Sequence, residues 1–173
     1  MIDAFQMLFK RSPRMFWSVV ALVLTGMLAF GLYLQHVVGL EPCPMCIVQR
    51  YVMLVVILWS TIVIAFPTLL IHRLSLVLTL ISSAFGAFVA ARQSWLQWFL
   101  PEVQSCGRDF YGMIESLPLQ RAIPMIFRGG GDCTKVDWTL LGGSIANWSF
   151  VMFSFLIISV GLQLFFIFKK SAP

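Results

Sequence analysis

Four long apolar runs govern what this chain can become. They cover about residues 15–34, 47–70, 74–91 and 144–168. A helix needs roughly 20 apolar residues to cross the hydrocarbon core of a bilayer. Inside lipid every backbone polar group has to be bonded internally, so runs of this length are expected to be helices. Only 11% of the 173 residues are charged and 60% are hydrophobic, too little polar surface for a soluble domain of this size. The expected fold is an all-α membrane protein, a four-transmembrane-helix up-down bundle forming one domain over residues 1–173. The first run follows Lys10, Arg11 and Arg14, as a signal peptide would. It continues well beyond the roughly 7–15 apolar residues of a signal core, so it reads as a retained span. The third run is rich in small residues, Ser82, Ser83, Ala84, Gly86 and Ala87, which let neighbouring helices approach closely.

Charge orients the bundle. The net charge of +5 is not gathered into a basic stripe with interleaved aromatics, so nucleic acid is not the expected partner. Lys10, Arg11, Arg14, Arg73, Lys169 and Lys170 cap the apolar runs on one side, opposed only by Asp3. The positive-inside rule puts that side, with both termini, in the cytoplasm. The loops at about 35–46 and 92–143 then face outward, into the periplasm of a Gram-negative cell. Trp95, Trp98, Trp138 and Trp148 fall at the outer interface, where amphipathic rings prefer to sit. The cytoplasmic link is expected at Ile71-His72-Arg73. Within the long loop, residues 113–127 form a patchy apolar stretch broken by Pro118 and Pro124. A short helix on the membrane surface and a loop folded onto the end of the bundle fit it equally well.

All four cysteines belong to the two outward loops. Cys43-Pro-Met-Cys46 lies at the mouth of the second span, and Cys106 and Cys133 lie in the long loop. Four cysteines allow three pairings. Cys43–Cys46 with Cys106–Cys133 is expected at rest, because it uses the two-residue spacing. A disulfide that closes so small a loop removes little entropy from the unfolded chain, so it is a poor staple and a better redox element. Pro42 and Pro44 keep the preceding chain out of a helix, and Ile47 is expected to start one. Cys46 is then near a helix N-terminus, where the macrodipole favours a thiolate. Arg50, four residues on, shares its helix face and also favours the thiolate. An arginine at such a depth can simply snorkel to headgroups, but beside a Cys-x-x-Cys the functional reading carries more weight. Gly129-Gly130-Gly131 before Cys133 forms either a mobile tether or a tight turn before the last span.

Three function classes remain open on these residues. One is a redox protein that passes electrons from the cysteines to a membrane-soluble acceptor such as a quinone. The second is a four-span scaffold with structural disulfides. The third is a four-thiolate zinc site, disfavoured because the second pair lacks the two-residue spacing and faces an oxidising side. No metal ligand set is assigned.

The motif Glu41-Pro42-Cys43-Pro44-Met45-Cys46 with Gln49-Arg50, then Cys106, then Gly131-Asp132-Cys133 with Trp138 and Leu141-Gly142, resembles the disulfide bond formation protein B (DsbB) family over nearly the whole chain. The resemblance implies a thiol:quinone oxidoreductase of the bacterial inner membrane. Its partner would be a reduced periplasmic thioredoxin-like oxidase (DsbA-like), and its cofactor ubiquinone or menaquinone. Cys106 would form the mixed disulfide with the partner. Exchange between the loops would pass through Cys43–Cys133 and leave Cys46 facing the quinone, with Arg50 stabilising that contact. Some members carry a histidine near the outer end of the third span. Here the neighbourhood reads Ala91-Arg92-Gln93-Ser94, so Arg92 or Gln93 is the expected polar contact to the quinone. The family includes paralogues that serve one dedicated partner.

A redox titration separates catalytic from structural disulfides. Structural ones resist reduction, with potentials below about −300 mV, whereas the cysteine pairs here are expected to yield to mild reductant.

Overall fold

A computed structural model describes residues 13–99, 131–134 and 136–171. Four helices in it are long and apolar enough to span a membrane. They are α1 (Pro13–His36), α2 (Pro44–Ala65), α3 (Leu69–Trp98) and α5 (Ile145–Ser171). A short helix, α4 (Gly131–Thr134), and a two-stranded hairpin precede α5. The chain is a multi-pass membrane protein with the expected all-α, four-span architecture. Cys106 and the apolar stretch at 113–127 lie outside the described residues.

The helix ends depart from the sequence expectation in instructive ways. α2 starts at Pro44 rather than Ile47. A proline is at home in the first turn, because its missing N–H would have no intrahelical partner there and its φ is already helical. Cys43 is the N-cap, with extended backbone. α2 ends at Ala65 rather than residue 70, stopped by Pro67 two residues on. The link to α3 is therefore Phe66-Pro67-Thr68, and Ile71-His72-Arg73 belongs to the first turns of α3. Thr68 caps that helix, its side-chain oxygen accepting from the Ile71 N–H at 3.3 Å. α3 also runs on to Trp98, about two turns beyond the expected end at 91, and carries Gln93 and Gln97 with it. α1 ends where Gly39 takes φ 80° and the Leu40 N–H returns to the Leu34 carbonyl at 3.0 Å.

Alternate helices run in opposite directions, so the C-terminal ends of α1 and α3 meet the N-terminal ends of α2 and α5. The cysteines lie at this end. The closest packing is of α3 against α5, then α3 against α2 and α2 against α1. Small residues on α3 make the first contact possible, as the sequence suggested. Ser83, Gly86 and Ala87 are buried. A methyl group added at Gly86 would stand 2.7 Å from the ring of Phe153, which is itself fully buried on α5. The core continues through Trp17, Val20 and Leu24 of α1, Val52 and Val56 of α2, Leu76 of α3 and Leu156 and Val160 of α5. At the end remote from the cysteines, Trp17 Nε1 donates to His72 Nδ1 at 3.2 Å and ties α1 to α3.

Gly86→Ala should lower stability by about 1–3 kcal/mol through overpacking. Thermal melting in detergent checks this, and Phe153→Leu in the same chain should restore part of the loss by clearing the ring.

Candidate functional site

The site grows from the first turn of α2. Cys43 Sγ accepts the Cys46 backbone N–H at 3.4 Å, and the Cys43 carbonyl accepts the Ile47 N–H at 3.1 Å. A cysteine thus does the capping usually left to serine or aspartate. The cap holds the two sulfurs together, with the Cys43 thiol donating to Cys46 Sγ at 3.0 Å. The two sulfurs are thus close enough for the expected Cys43–Cys46 disulfide to form between them.

Cys133 joins them. It lies on α4, fully buried, in a small cluster with Cys43, Met45, Val89 and Leu96. Its side chain hydrogen-bonds to Cys43. That contact, then the one to Cys46, then burial push the Cys43 thiol well above its ordinary value, so it keeps its proton at neutral pH. Three sulfurs from two loops therefore share one contact region. Thiol–disulfide exchange needs one sulfur to reach another through a mixed disulfide, and here Cys43 touches both others.

Gln93 is the fourth member. Its Nε2 lies 3.1 Å from Cys46 Sγ and 3.3 Å from Cys43 Sγ. Its Oε1 accepts from Gln49 Nε2 at 2.8 Å. Arg92 is not brought in. Adjacent residues on a helix point about 100° apart, and Arg92 is half-buried on α3 but absent from the lining of the cavity below.

Arg50 points toward α1. Its guanidinium donates to Gln35 Oε1 and, at 3.0 Å, to the Gly31 carbonyl. A side chain at Gly31 would crowd that guanidinium at 3.4 Å. Arg50 is thus held by α1 and does not stray to the lipid surface.

Cys46, Arg50 and Gln93 line one cavity of about 530 Å³. Its walls are mostly apolar, with Met27, Leu28 and Phe30 from α1 and Met152 and Phe155 from α5. Phe30, Val151 and Phe155 line it and are also exposed on the bundle's outer surface, so the cavity opens sideways between α1 and α5. Trp138 closes part of the rim, packing on Phe30 at 5.1 Å between ring centres.

The hairpin of β1 (Thr139–Leu140) and β2 (Gly143–Ser144) forms the rest of the rim. Its two-residue turn has positive φ at both Leu141 (51°) and Gly142 (80°), the hairpin geometry that matches strand twist. Trp148 Nε1 pins the hairpin by donating to the Leu140 carbonyl at 3.0 Å. Ser144 Oγ donates to Gln97 Oε1 at 2.6 Å and accepts from the Asn147 N–H, so one side chain caps α5 and ties it to α3.

Sequence reasoning singled out Cys43, Cys46, Cys133, Arg50 and Gln93, and the structure brings all five into this region. It did not find Gln35 or Gly31, and it quoted Gln49 in the cysteine motif without giving it a role. Gln35 and Gly31 stand one turn apart at the end of α1, but nothing in the sequence says that they face α2. Gln49 offered a signal, as an amide beside Arg50 near the start of an apolar span, and it is buried.

The chain matches the family "Disulfide bond formation protein DsbB" over residues 13–163. It is 65% identical over 147 residues to disulfide bond formation protein B of Albidiferax ferrireducens, covering 85% of this chain and 84% of that one. The corresponding protein of Polaromonas naphthalenivorans is 63% identical over 147 residues, covering 83% and 86%. That of Aromatoleum aromaticum is 47% identical over 144 residues, covering 83% and 87%.

The raised Cys43 has a direct consequence. Folding postpones its ionisation, so the fold gains stability from it below the ordinary thiol value of about 8.5 and loses that gain as pH rises above it. In reduced protein at pH 8, Cys43 should alkylate at least tenfold more slowly than in the unfolded chain, and peptide mass spectrometry reads this directly.

Proposed function

Because this chain belongs to the DsbB family of disulfide bond formation proteins, and is thereby a disulfide-forming oxidoreductase, we propose that it oxidises a reduced DsbA-like periplasmic dithiol and passes the electrons to a membrane quinone. The observation that carries the reading is the sulfur cluster at the edge of a laterally open apolar cavity. Overall, a partner dithiol and a quinone become a partner disulfide and a quinol, with two electrons and two protons transferred. The cysteine end faces the periplasm and both termini face the cytoplasm, in keeping with the distribution of Arg and Lys. The membrane is then the bacterial inner membrane.

The partner thiolate attacks the Cys106–Cys133 disulfide and is held as a mixed disulfide on Cys106. Cys133 leaves as a thiolate. It attacks Cys43 of the Cys43–Cys46 disulfide, and Cys46 is the leaving sulfur. The contact of Cys133 with Cys43 supports this order, because Cys43 is the sulfur that Cys133 meets. The second partner thiolate then attacks the mixed disulfide, which releases the partner oxidised and leaves Cys106 as a thiolate. Cys106 attacks Cys133 of the Cys43–Cys133 bond and restores Cys106–Cys133, leaving Cys43 and Cys46 as a dithiol that would re-form its disulfide by giving two electrons and two protons to the quinone. Re-oxidising a strong dithiol oxidant requires an acceptor stronger still, which a quinone supplies.

The cavity fits such a group. Its apolar walls suit a ring and the start of a lipid tail, and its polar lining includes Arg50 and Gln93, the latter bonded to Cys46. Arg50 would hold a quinone oxygen, being positioned by Gln35 and Gly31 rather than by the ligand. Gln93 and Cys46 would flank it. Ubiquinone and menaquinone both suit these walls.

Purified protein should reduce a soluble quinone only when reduced partner is supplied, and Cys46→Ser should abolish turnover. Arg50→Met should raise KM for quinone by roughly 10–100-fold, the value of one hydrogen bond to a charged group. Trapping of the partner on Cys106 in a Cys133→Ala background should be unaffected by it. Equal losses in both measurements would remove Arg50 from the quinone site.

A further inference from the structure

The buried pair Gln49–Gln93 touches the reacting sulfurs, yet no step of the exchange consumes or releases anything at it. Both side chains are almost wholly enclosed, at 2% and 3% exposure. A glutamine amide has a donor end and an acceptor end of nearly the same shape. Which end faces Cys46 decides whether Gln93 attracts or repels a sulfur that carries negative charge. With Nε2 inward, two N–H bonds are offered to the two sulfurs. With Oε1 inward, a carbonyl lone pair would oppose a thiolate.

The neighbouring amide makes the choice. Gln49 Nε2 donates to Gln93 Oε1 at 2.8 Å, which occupies the acceptor end and leaves Nε2 for Cys46 at 3.1 Å and Cys43 at 3.3 Å. Gln49 stands on α2, one turn from Cys46, while Gln93 comes from α3, so the orientation is set across two helices. We propose that Gln49 is a positioning residue that fixes the polarity of the Gln93 amide, so that a thiolate formed at Cys46 meets an oriented neutral donor. The proposal deepens the reading of Cys46 as the sulfur that ends the exchange as a thiolate. Neither amide titrates, so the donation is the same at every pH at which the protein is folded.

The test uses full-length, fully reduced, quinone-free protein in detergent, with no partner present. The rate of Cys46 alkylation by iodoacetamide at pH 7 is followed by peptide mass spectrometry, alongside a thermal melt. Gln49→Met keeps the length and the apolar volume but removes the donor. It should slow Cys46 alkylation by about three- to tenfold, the scale of a hydrogen bond to a charged group shared with other donors. Gln93→Met should slow it at least as much. In the double variant the Gln49 change should add nothing, because the group it orients is gone.

A residue that merely holds α2 against α3 would act in the opposite sense, since loosening the seam exposes Cys46 and speeds alkylation. Faster alkylation in Gln49→Met, an unchanged rate, or a double variant slowed by the product of the two single effects would each overturn the proposal. The assay contains no quinone and no partner. Its failure is therefore distinct from a failure of the quinone reading, which would appear as lost dependence of turnover on Cys46.

Discussion

The start of α2 sets the geometry on which the rest of the site depends. Pro44 occupies the first helical position, where the backbone has no use for its missing N–H, and the Cys43 sulfur takes up the Cys46 N–H. That one cap fixes the rotational phase of everything downstream. Cys46 falls in the first turn, with Gln49 and Arg50 one turn on, directed to α3 and α1 respectively. A start displaced by a single residue would turn each of these side chains by about 100°. Gln49 would lose Gln93, and Arg50 would lose the Gly31 carbonyl.

The bundle is tight at one end and open at the other. Near the first residues of α1, Trp17 is fully buried and bonded to His72, with Phe16 beside it. In the middle, Gly86 lets Phe153 lie against the α3 backbone. Toward the cysteines a cavity lies between α1 and α5, with Trp138 and the hairpin at its rim. Between lipid tails and apolar side chains there is little hydrophobic gain in closing such a seam, since both sides are equally apolar. Close packing and interhelical hydrogen bonds decide where the helices meet, and they are concentrated on α3.

Much of this was legible in the sequence, for identifiable reasons. The spans followed from length and hydropathy, and the small-residue face of α3 from Ser83, Gly86 and Ala87. The cysteines and Arg50 stood out through residue type and spacing, and Cys43, Cys46, Cys133 and Arg50 lie at one end of the bundle. The helix ends were less legible. Proline was read as a breaker before α2, whereas at the first helical position it is a starter. Pro67 was passed over within an apolar run, although it ends α2. Arg92 and Gln93 could not be separated by sequence, because both are polar and adjacent, and only the helix phase shows which of them faces the sulfurs. Gln35 and Gly31 act through a hydrogen bond and a carbonyl that exist only once α1 and α2 are packed.

The sideways opening between α1 and α5 changes how a ligand's affinity should be reckoned. A molecule dissolved in the bilayer would reach the cavity by diffusing in two dimensions, without ever being extracted into water. Its effective concentration is then a mole fraction among lipids, which for a strongly lipophilic compound far exceeds its aqueous concentration. The cavity can therefore bind weakly and still be filled. If the proposed quinone is that molecule, its reduced form would leave by the same route, and a modest preference at Arg50 and Gln93 would decide which form stays bound.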